Sequence, residues 1–186
     1  MFTKSLTASV LALALTTGAA LAQSQSNPMV GGAPMFAERN IVENAVNSAD
    51  HTTLVAAVQA AGLVDTLASE GPFTVFAPTN AAFDALPDGT VETLLLPENL
   101  DQLQRILTCH VVATTALWGD IRGMVAGDGG AHVIETVGGC EFTAYYTNGV
   151  IQIEDGAGRR ANITIADVRQ SNGMIHVIDS VLLPAS

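Results

Sequence analysis

The spacing of apolar residues changes from a helical period to a strand period near residue 110. In residues 41–46 and 54–61, apolar side chains recur every three or four positions, as on one face of a helix. Beyond residue 110 the pattern moves towards alternation, and glycine-containing turns separate the segments. The predicted strands are 110–112, 132–137, 141–146, 150–154, 161–168 and 174–182. Early helices followed by late strands predict an α+β domain rather than alternating βαβ units.

One strand is predicted ahead of this change. Residues 73–77 are mostly apolar and stand between Gly71-Pro72 and Pro78, which punctuate a strand. Further short helices are predicted over 63–67, from Asn80 onward and over 101–107. No internal repeat is present, so a single domain is expected.

The composition excludes some classes of partner. The chain has 186 residues, of which 48% are hydrophobic, enough for a sizeable core. It carries 18 acidic and 7 basic side chains, a formal net charge of −11. Binding to nucleic acid requires clustered lysine and arginine to neutralise phosphates, so a nucleic-acid partner is not expected. The same charge disfavours binding to anionic membrane surfaces.

Residues 1–22 are predicted to be a secretory signal peptide. Lys4 gives a positive start, residues 6–15 are apolar, and Ala20-Leu21-Ala22 supplies small residues before a cleavage site. A membrane anchor is the alternative, but the apolar run is short of the about 20 residues that a span needs. We therefore expect a flexible lead-in over 23–38 and the folded domain over 39–186. The protein would be secreted, periplasmic or at the cell surface, with no membrane insertion after signal cleavage.

Signal cleavage would also make the chain more acidic. Lys4 is the only lysine, so the mature chain would keep six arginines against 18 acidic residues, a net charge of −12. A chain without lysine cannot form a lysine Schiff base. Attraction to an acidic polysaccharide would need a local arginine patch such as Arg159-Arg160, or bridging cations.

Cys109 and Cys140 are the only cysteines. An exported chain meets an oxidising compartment, which favours a disulfide between them. Two buried free thiols are the alternative, since cysteine also packs as a small hydrophobic residue.

Catalytic motifs are missing from the sequence. There is no G-x-S-x-G, no H-E-x-x-H and no phosphate-binding loop, and the four histidines lack metal-ligand spacing. His110 and His176 lie within apolar runs, where a histidine is usually a hydrogen-bonded core residue. The sequence therefore predicts a protein that is not an enzyme, with no cofactor and no metal.

Aromatic residues offer one further possibility. Trp118 and Tyr145-Tyr146 could form a platform on which a sugar ring stacks. We interpret them instead as ordinary core or strand positions.

Three segments resemble the fasciclin domain family. Residues 71–83, GPFTVFAPTNAAF, are similar to its first box, and residues 171–184, SNGMIHVIDSVLLP, are similar to its second box. Between them, residues 106–112, ILTCHVV, resemble the family's Tyr-His segment. The resemblance implies an α+β fold, a compact β-sandwich or wedge with helices packed along one edge.

The resemblance also implies a function in adhesion. It implies an exported, non-enzymatic adhesion or extracellular-matrix-type binding module that contacts a cell-surface protein or polysaccharide. Family contact positions correspond here to His110 and to Asp167-Val168. The tyrosine of the Tyr-His segment is replaced by Cys109, which could then meet Cys140 on an adjacent strand.

A second hypothesis stays open at this point. The protein could be a periplasmic or extracellular small-ligand binder or hydrolase that uses His110, Asp167 or Asp179 in a cleft. It requires two of these groups within hydrogen-bond reach in a water-accessible pocket.

Overall fold

A computed structural model describes residues 27–185 of the chain. The predicted signal peptide over 1–22 lies outside the described residues. The helices are α1 Ile41–Ala45, α2 Thr52–Ala60, α3 Val64–Ala68, α4 Asn80–Asp84, α5 Thr90–Leu94, α6 Leu100–Cys109 and α7 Trp118–Gly127. The strands are β1 Met29–Val30, β2 Ala33–Pro34, β3 Phe73–Pro78, β4 Val111–Val112, β5 Ala131–Glu135, β6 Glu141–Thr147, β7 Val150–Glu154, β8 Arg160–Gln170 and β9 Gly173–Ile178. The predicted α+β class is confirmed.

Seven strands form the main sheet, in the order β4-β3-β9-β8-β7-β6-β5. Strands β3 and β9 run parallel, and the other neighbouring pairs in this sheet are antiparallel. The long strand β8 pairs with β7 over its first residues and with β9 over the rest, where the register shifts twice. The sheet therefore turns at β8 and forms a nearly closed wedge.

Two hydrophobic cores lie on opposite sides of β3 and β9. The first core packs helices α1 to α6 against Val75 and Ile175, and the second encloses Phe76 and Ile178 within the folded sheet. Because successive side chains of a strand point to opposite faces, strands buried on both faces are apolar almost throughout. This explains why the segments that contain these strands, residues 71–83 and 171–184, are so apolar. Helix α7 differs from α1 to α6, since its Ile121 and Val125 belong to the second core.

The segment before α1 is ordered where the structure describes it. A flexible lead-in was expected over 23–38, but β1 and β2 pair in a small hairpin through Gly31-Gly32, both at positive φ. Val30 and Met35 are buried in the first core. Burial of these two side chains provides the energy that holds the described part of the segment against the domain.

Cys109 and Cys140 form a disulfide, as predicted. It joins the last residue of α6 to the residue before β6, with a Cα–Cα distance of 5.4 Å. Cys109 has no exposed surface, so the bond lies inside the second core.

A candidate binding surface beside Asp167

His110 is a buried structural residue. Its Nδ1–H donates to the carbonyl of Ile106 at 2.9 Å, and its Nε2 accepts the N–H of Leu182 at 3.0 Å. These partners assign the neutral tautomer, and burial lowers the pKa of His110 to about 4 despite opposing effects of the Ile106 carbonyl and Asp155. Only 2% of the residue is exposed, so any contribution to binding is indirect. Its role is to connect α6 to the C-terminal segment.

Val168 is also removed from the surface. It is fully buried in the first core, next to the second register shift of β8. The expected Asp167-Val168 contact pair is therefore divided, and only Asp167 is placed where a partner could approach.

The groups of the hydrolase hypothesis make separate contacts. Asp179 accepts hydrogen bonds from the backbone N–H and the side-chain amide of Asn162, at 2.8 and 2.7 Å. Asp167 contacts Trp118, and within residues 27–185 no hydrogen bond joins either carboxylate to His110. Among the described residues, no hydrogen bond brings two of these three groups together, as the hydrolase hypothesis requires.

Asp167 connects β8 to the start of α7. Its Oδ1 accepts the backbone N–H of Trp118 at 2.7 Å, and its own N–H donates to Nδ1 of His176 at 3.2 Å. His176 Nε2–H donates in turn to the carbonyl of Ala116 at 2.8 Å. Burial lowers the pKa of His176, although the Ala116 carbonyl and Asp167 oppose this, so the ring is neutral and both of its nitrogens are used. The network fixes residues 116–118 in position.

Trp118 then forms part of an aromatic cluster. Its ring meets that of Tyr146 edge to face, with centroids 5.7 Å apart. Arg122, one turn further along α7, places its guanidinium 5.7 Å from the Trp118 ring centre and 5.2 Å from that of Tyr146. Tyr146 is 38% exposed and Arg122 is exposed. We call these three residues the Trp118 surface.

Tyr145 does not join this cluster. It follows Ala144 and precedes Tyr146 on β6, so its side chain leaves the opposite face of the sheet. There it contacts Arg160, whose guanidinium lies 4.1 Å from the ring centre. Of the aromatic residues considered in the sequence, the structure brings together Trp118 and Tyr146 and separates Tyr145.

Sequence reasoning missed Arg122 and helix α7. A usable signal was present in the sequence, because Trp118, Ile121 and Val125 follow helical spacing and Asp120 lies in the first turn. In the structure, Asp120 accepts the backbone N–H of Leu117 at 3.1 Å. Gly119 and Gly123 conceal it, since glycine is a poor helix former.

The arginines differ in whether an acidic side chain neutralises their charge. Arg159 is paired with the buried carboxylate of Asp155 at 2.7 Å, and Arg160 with Glu154 at 2.8 Å. The possible Arg159-Arg160 patch is therefore neutralised locally. Among the ion pairs formed within residues 27–185, none involves Arg122.

Two concave regions lie elsewhere. One is an apolar cavity of about 90 Å³ beneath α1 to α3, at whose edge His51 bonds Ser48 through Nδ1 at 2.8 Å. The other is a groove of about 750 Å³ whose lining includes Asn40, Glu70 and Arg169. Over the described residues no cluster of three or more His, Cys, Asp or Glu side chains could hold a metal ion. None of the helices described there is long and apolar enough to cross a membrane.

Comparison with known proteins assigns this architecture. The sequence model of the fasciclin domain family matches residues 49–184 of this chain. A Synechocystis sp. protein designated sll1483 is 42% identical over 179 residues, covering 96% of this chain and 92% of its own length. The cell surface glycolipoprotein MPB83 of Mycobacterium bovis is 32% identical, covering 88% of this chain and 68% of its own length.

A solved structure agrees on the fold. The FAS1 domain pair of the insect cell adhesion molecule fasciclin I superposes with a TM-score of 0.56 at 23% sequence identity. The match covers 75% of this chain and 45% of that one, and it supports the predicted wedge-shaped α+β architecture.

Proposed function

This chain belongs to the fasciclin domain family, and from this premise we propose that it is an exported, non-enzymatic adhesion or matrix-binding module. Its partner is a cell-surface protein or polysaccharide. The relative MPB83 is named as a cell surface glycolipoprotein, which supports a location outside the cytoplasm. The structural neighbour comes from a cell adhesion molecule, which supports an adhesive role.

The observation that carries the proposal is the contrast between the buried His110 and His176 and the exposed side chains of Tyr146 and Arg122. His110 and His176 use both ring nitrogens in the interior, so neither can act as an acid or base on a bound molecule. Tyr146 and Arg122 are exposed, and these residue types are enriched at protein interfaces. The surface is thus suited to contact rather than to catalysis.

Adhesion is tested with beads coated with residues 23–186 and presented to cells of the producing organism and to their extracellular polysaccharide. We expect retention on at least one of these surfaces. Beads coated with an unrelated protein of similar net charge control for non-specific attachment. Equal retention of both kinds of bead, together with normal adhesion of a deletion strain, would refute the proposal.

Export is tested separately by cell fractionation and N-terminal sequencing. We expect the protein outside the cytoplasm, with Gln23 as its first residue. Recovery of the uncleaved chain in the cytoplasm would contradict this part of the proposal.

A further inference from the structure

We propose that the Trp118 surface binds a uronic-acid unit of an acidic polysaccharide. The inference rests on the proposed function, since it names the chemistry of the partner and the residues that meet it. Three observations carry it: the paired aromatic rings, the charge of Arg122 and the rigid placement of α7.

The aromatic rings suit one face of a sugar. The C–H bonds on a pyranose face are apolar and carry a small positive charge, whereas the face of an aromatic ring is negative. Trp118 and Tyr146 meet at an interplanar angle of 84°, so they form a corner rather than a flat plate. A sugar ring that enters this corner contacts the exposed part of Tyr146 and lies beside Trp118.

Arg122 supplies the charge complement. A guanidinium donates two parallel hydrogen bonds to a carboxylate, a geometry that lysine cannot match. Arg122 is exposed and takes no part in the ion pairs of the described chain, whereas Arg159 and Arg160 are paired with acids. The Arg122 guanidinium lies over the same two rings, so a carboxylate on a sugar in this corner would meet it.

The surface is fixed before a ligand arrives. Ile121 and Val125 anchor α7 in the second core, with 0% and 2% of each residue exposed. Asp167 holds the backbone of Trp118 at the first position of the helix. Little conformational entropy is then lost on binding, because the contact residues are already held in place.

The net charge of the chain sets the strength of this contact. Eighteen acidic side chains repel a polyanion, although salt screens charges that lie more than about 8 Å apart at physiological ionic strength. One arginine with two aromatic rings therefore gives weak binding to a single unit. Firm attachment requires many protein copies on one polymer.

The experiment uses the fluorescence of Trp118, which is the only tryptophan in the chain. Residues 23–186 are titrated with oligogalacturonate and, as a matched ligand, with the same oligomer after its carboxylates have been reduced to alcohols. We expect a saturable fluorescence change with oligogalacturonate and at least about tenfold weaker binding of the reduced oligomer, the loss expected for a charge-assisted hydrogen bond.

Variants separate this surface from the rest of the molecule. Arg122→Gln and Tyr146→Ala should each weaken oligogalacturonate binding about tenfold. Arg160→Gln and Tyr145→Ala change the same residue types on the opposite face and should leave the affinity unchanged. Thermal unfolding of each variant shows that it is folded.

Three results would overturn the inference: no saturable change with oligogalacturonate, equal binding of the reduced oligomer, or equal losses in both pairs of variants. An acidic peptide that binds the wild type more tightly than oligogalacturonate would also overturn it, by assigning the surface to a protein. If coated beads adhere to cells and Arg122→Gln beads adhere equally, the proposed function stands and this inference fails. If wild-type beads are retained no better than control beads and a deletion strain adheres normally, the proposed function itself fails.

Discussion

The carboxylate of Asp167 accepts a hydrogen bond from the backbone N–H of Trp118 at 2.7 Å, although the two residues are 49 positions apart. The contact places a negative charge at the N-terminus of α7, where the helix dipole favours it. It also joins the family contact position to the aromatic cluster.

Replacing Asp167 with alanine should lower the free energy of unfolding by about 1–3 kcal/mol. The cap of α7 is lost, which costs about 1 kcal/mol. Asp167 also has a φ of 57°, which alanine adopts less readily than aspartate. Urea unfolding followed by Trp118 fluorescence measures the change. Asp167→Gly is the matched control, because it removes the cap but tolerates the backbone; it should be less destabilised than the alanine variant.

Replacing Asn172 with alanine should destabilise the domain by about 2–3 kcal/mol, because three hydrogen bonds of about 1 kcal/mol each are lost. The Asn172 side-chain amide donates to the carbonyls of Leu67 and Ser69 at 2.8 and 2.9 Å, and its oxygen accepts the N–H of Ile41 at 3.0 Å. It thus connects the β8–β9 turn to α1 and α3. Asn172→Asp keeps the acceptor but places a carboxylate oxygen against the carbonyls of Leu67 and Ser69, so it should be at least as destabilised as the alanine variant in the same urea assay. An alanine variant as stable as the wild type would contradict this role.

Reduction of the Cys109–Cys140 disulfide should destabilise the domain by about 3–4 kcal/mol, since the bond closes a separation of 31 residues. Unfolding curves with and without a reducing agent measure the difference. The Cys109→Ala/Cys140→Ala double variant is the control, and a reducing agent should not affect it. Mass spectrometry of the unreduced protein should show the loss of two protons, and two alkylatable thiols would contradict the bond.

Stability should fall as the pH is lowered from about 7 to 4. The pKa of His110 is lowered from 6.5 to about 4 by burial, so the unfolded chain binds a proton in this interval that the native chain does not. The free energy of unfolding therefore falls with decreasing pH, by about 3 kcal/mol for His110 alone at pH 4. Burial lowers the pKa of His51 and His176 as well, which acts in the same direction.

Asp155 extends the loss of stability to pH values below about 4. Burial opposes its ionisation, but the N–H of Leu183 and the guanidinium of Arg159 outweigh burial and lower its pKa. That stabilisation is lost when the carboxylate is protonated at low pH. Urea unfolding at several pH values tests the prediction, and His110→Gln should show a shallower dependence. A stability that stays constant from pH 7 to 4 would contradict it.

Local sequence patterns were sufficient for most of the fold. The predicted strand 150–154 coincides with β7, and predicted 141–146 falls one residue short of β6. The alternation of apolar and polar residues and the glycine-containing turns are local features, so they can be recognised without knowledge of the tertiary structure. Helix α7 was not predicted because two of its internal positions are glycine and one of the two carboxylates that cap it, that of Asp167, comes from a distant strand.

The candidate site depended more on tertiary structure. The resemblance pointed to Asp167-Val168 as a pair, but the irregular stretch of β8 puts Val168 in the first core. Strand alternation could have placed Tyr145 and Tyr146 on opposite faces. The meeting of Trp118 and Tyr146 could not be foreseen, because it requires α7 to cross β6.

The parallel pairing of β3 with β9 has a consequence for how the chain acquires its structure. Phe73 lies opposite Gly173, so the centre of the sheet joins segments separated by a hundred residues. Such distant contacts slow folding, since a long loop must close before either strand is stabilised. During synthesis, one edge of β3 therefore remains unpaired until β9 has been made. A nascent chain that ends before β9 therefore exposes an unpaired strand edge, the kind of edge with which another chain can pair.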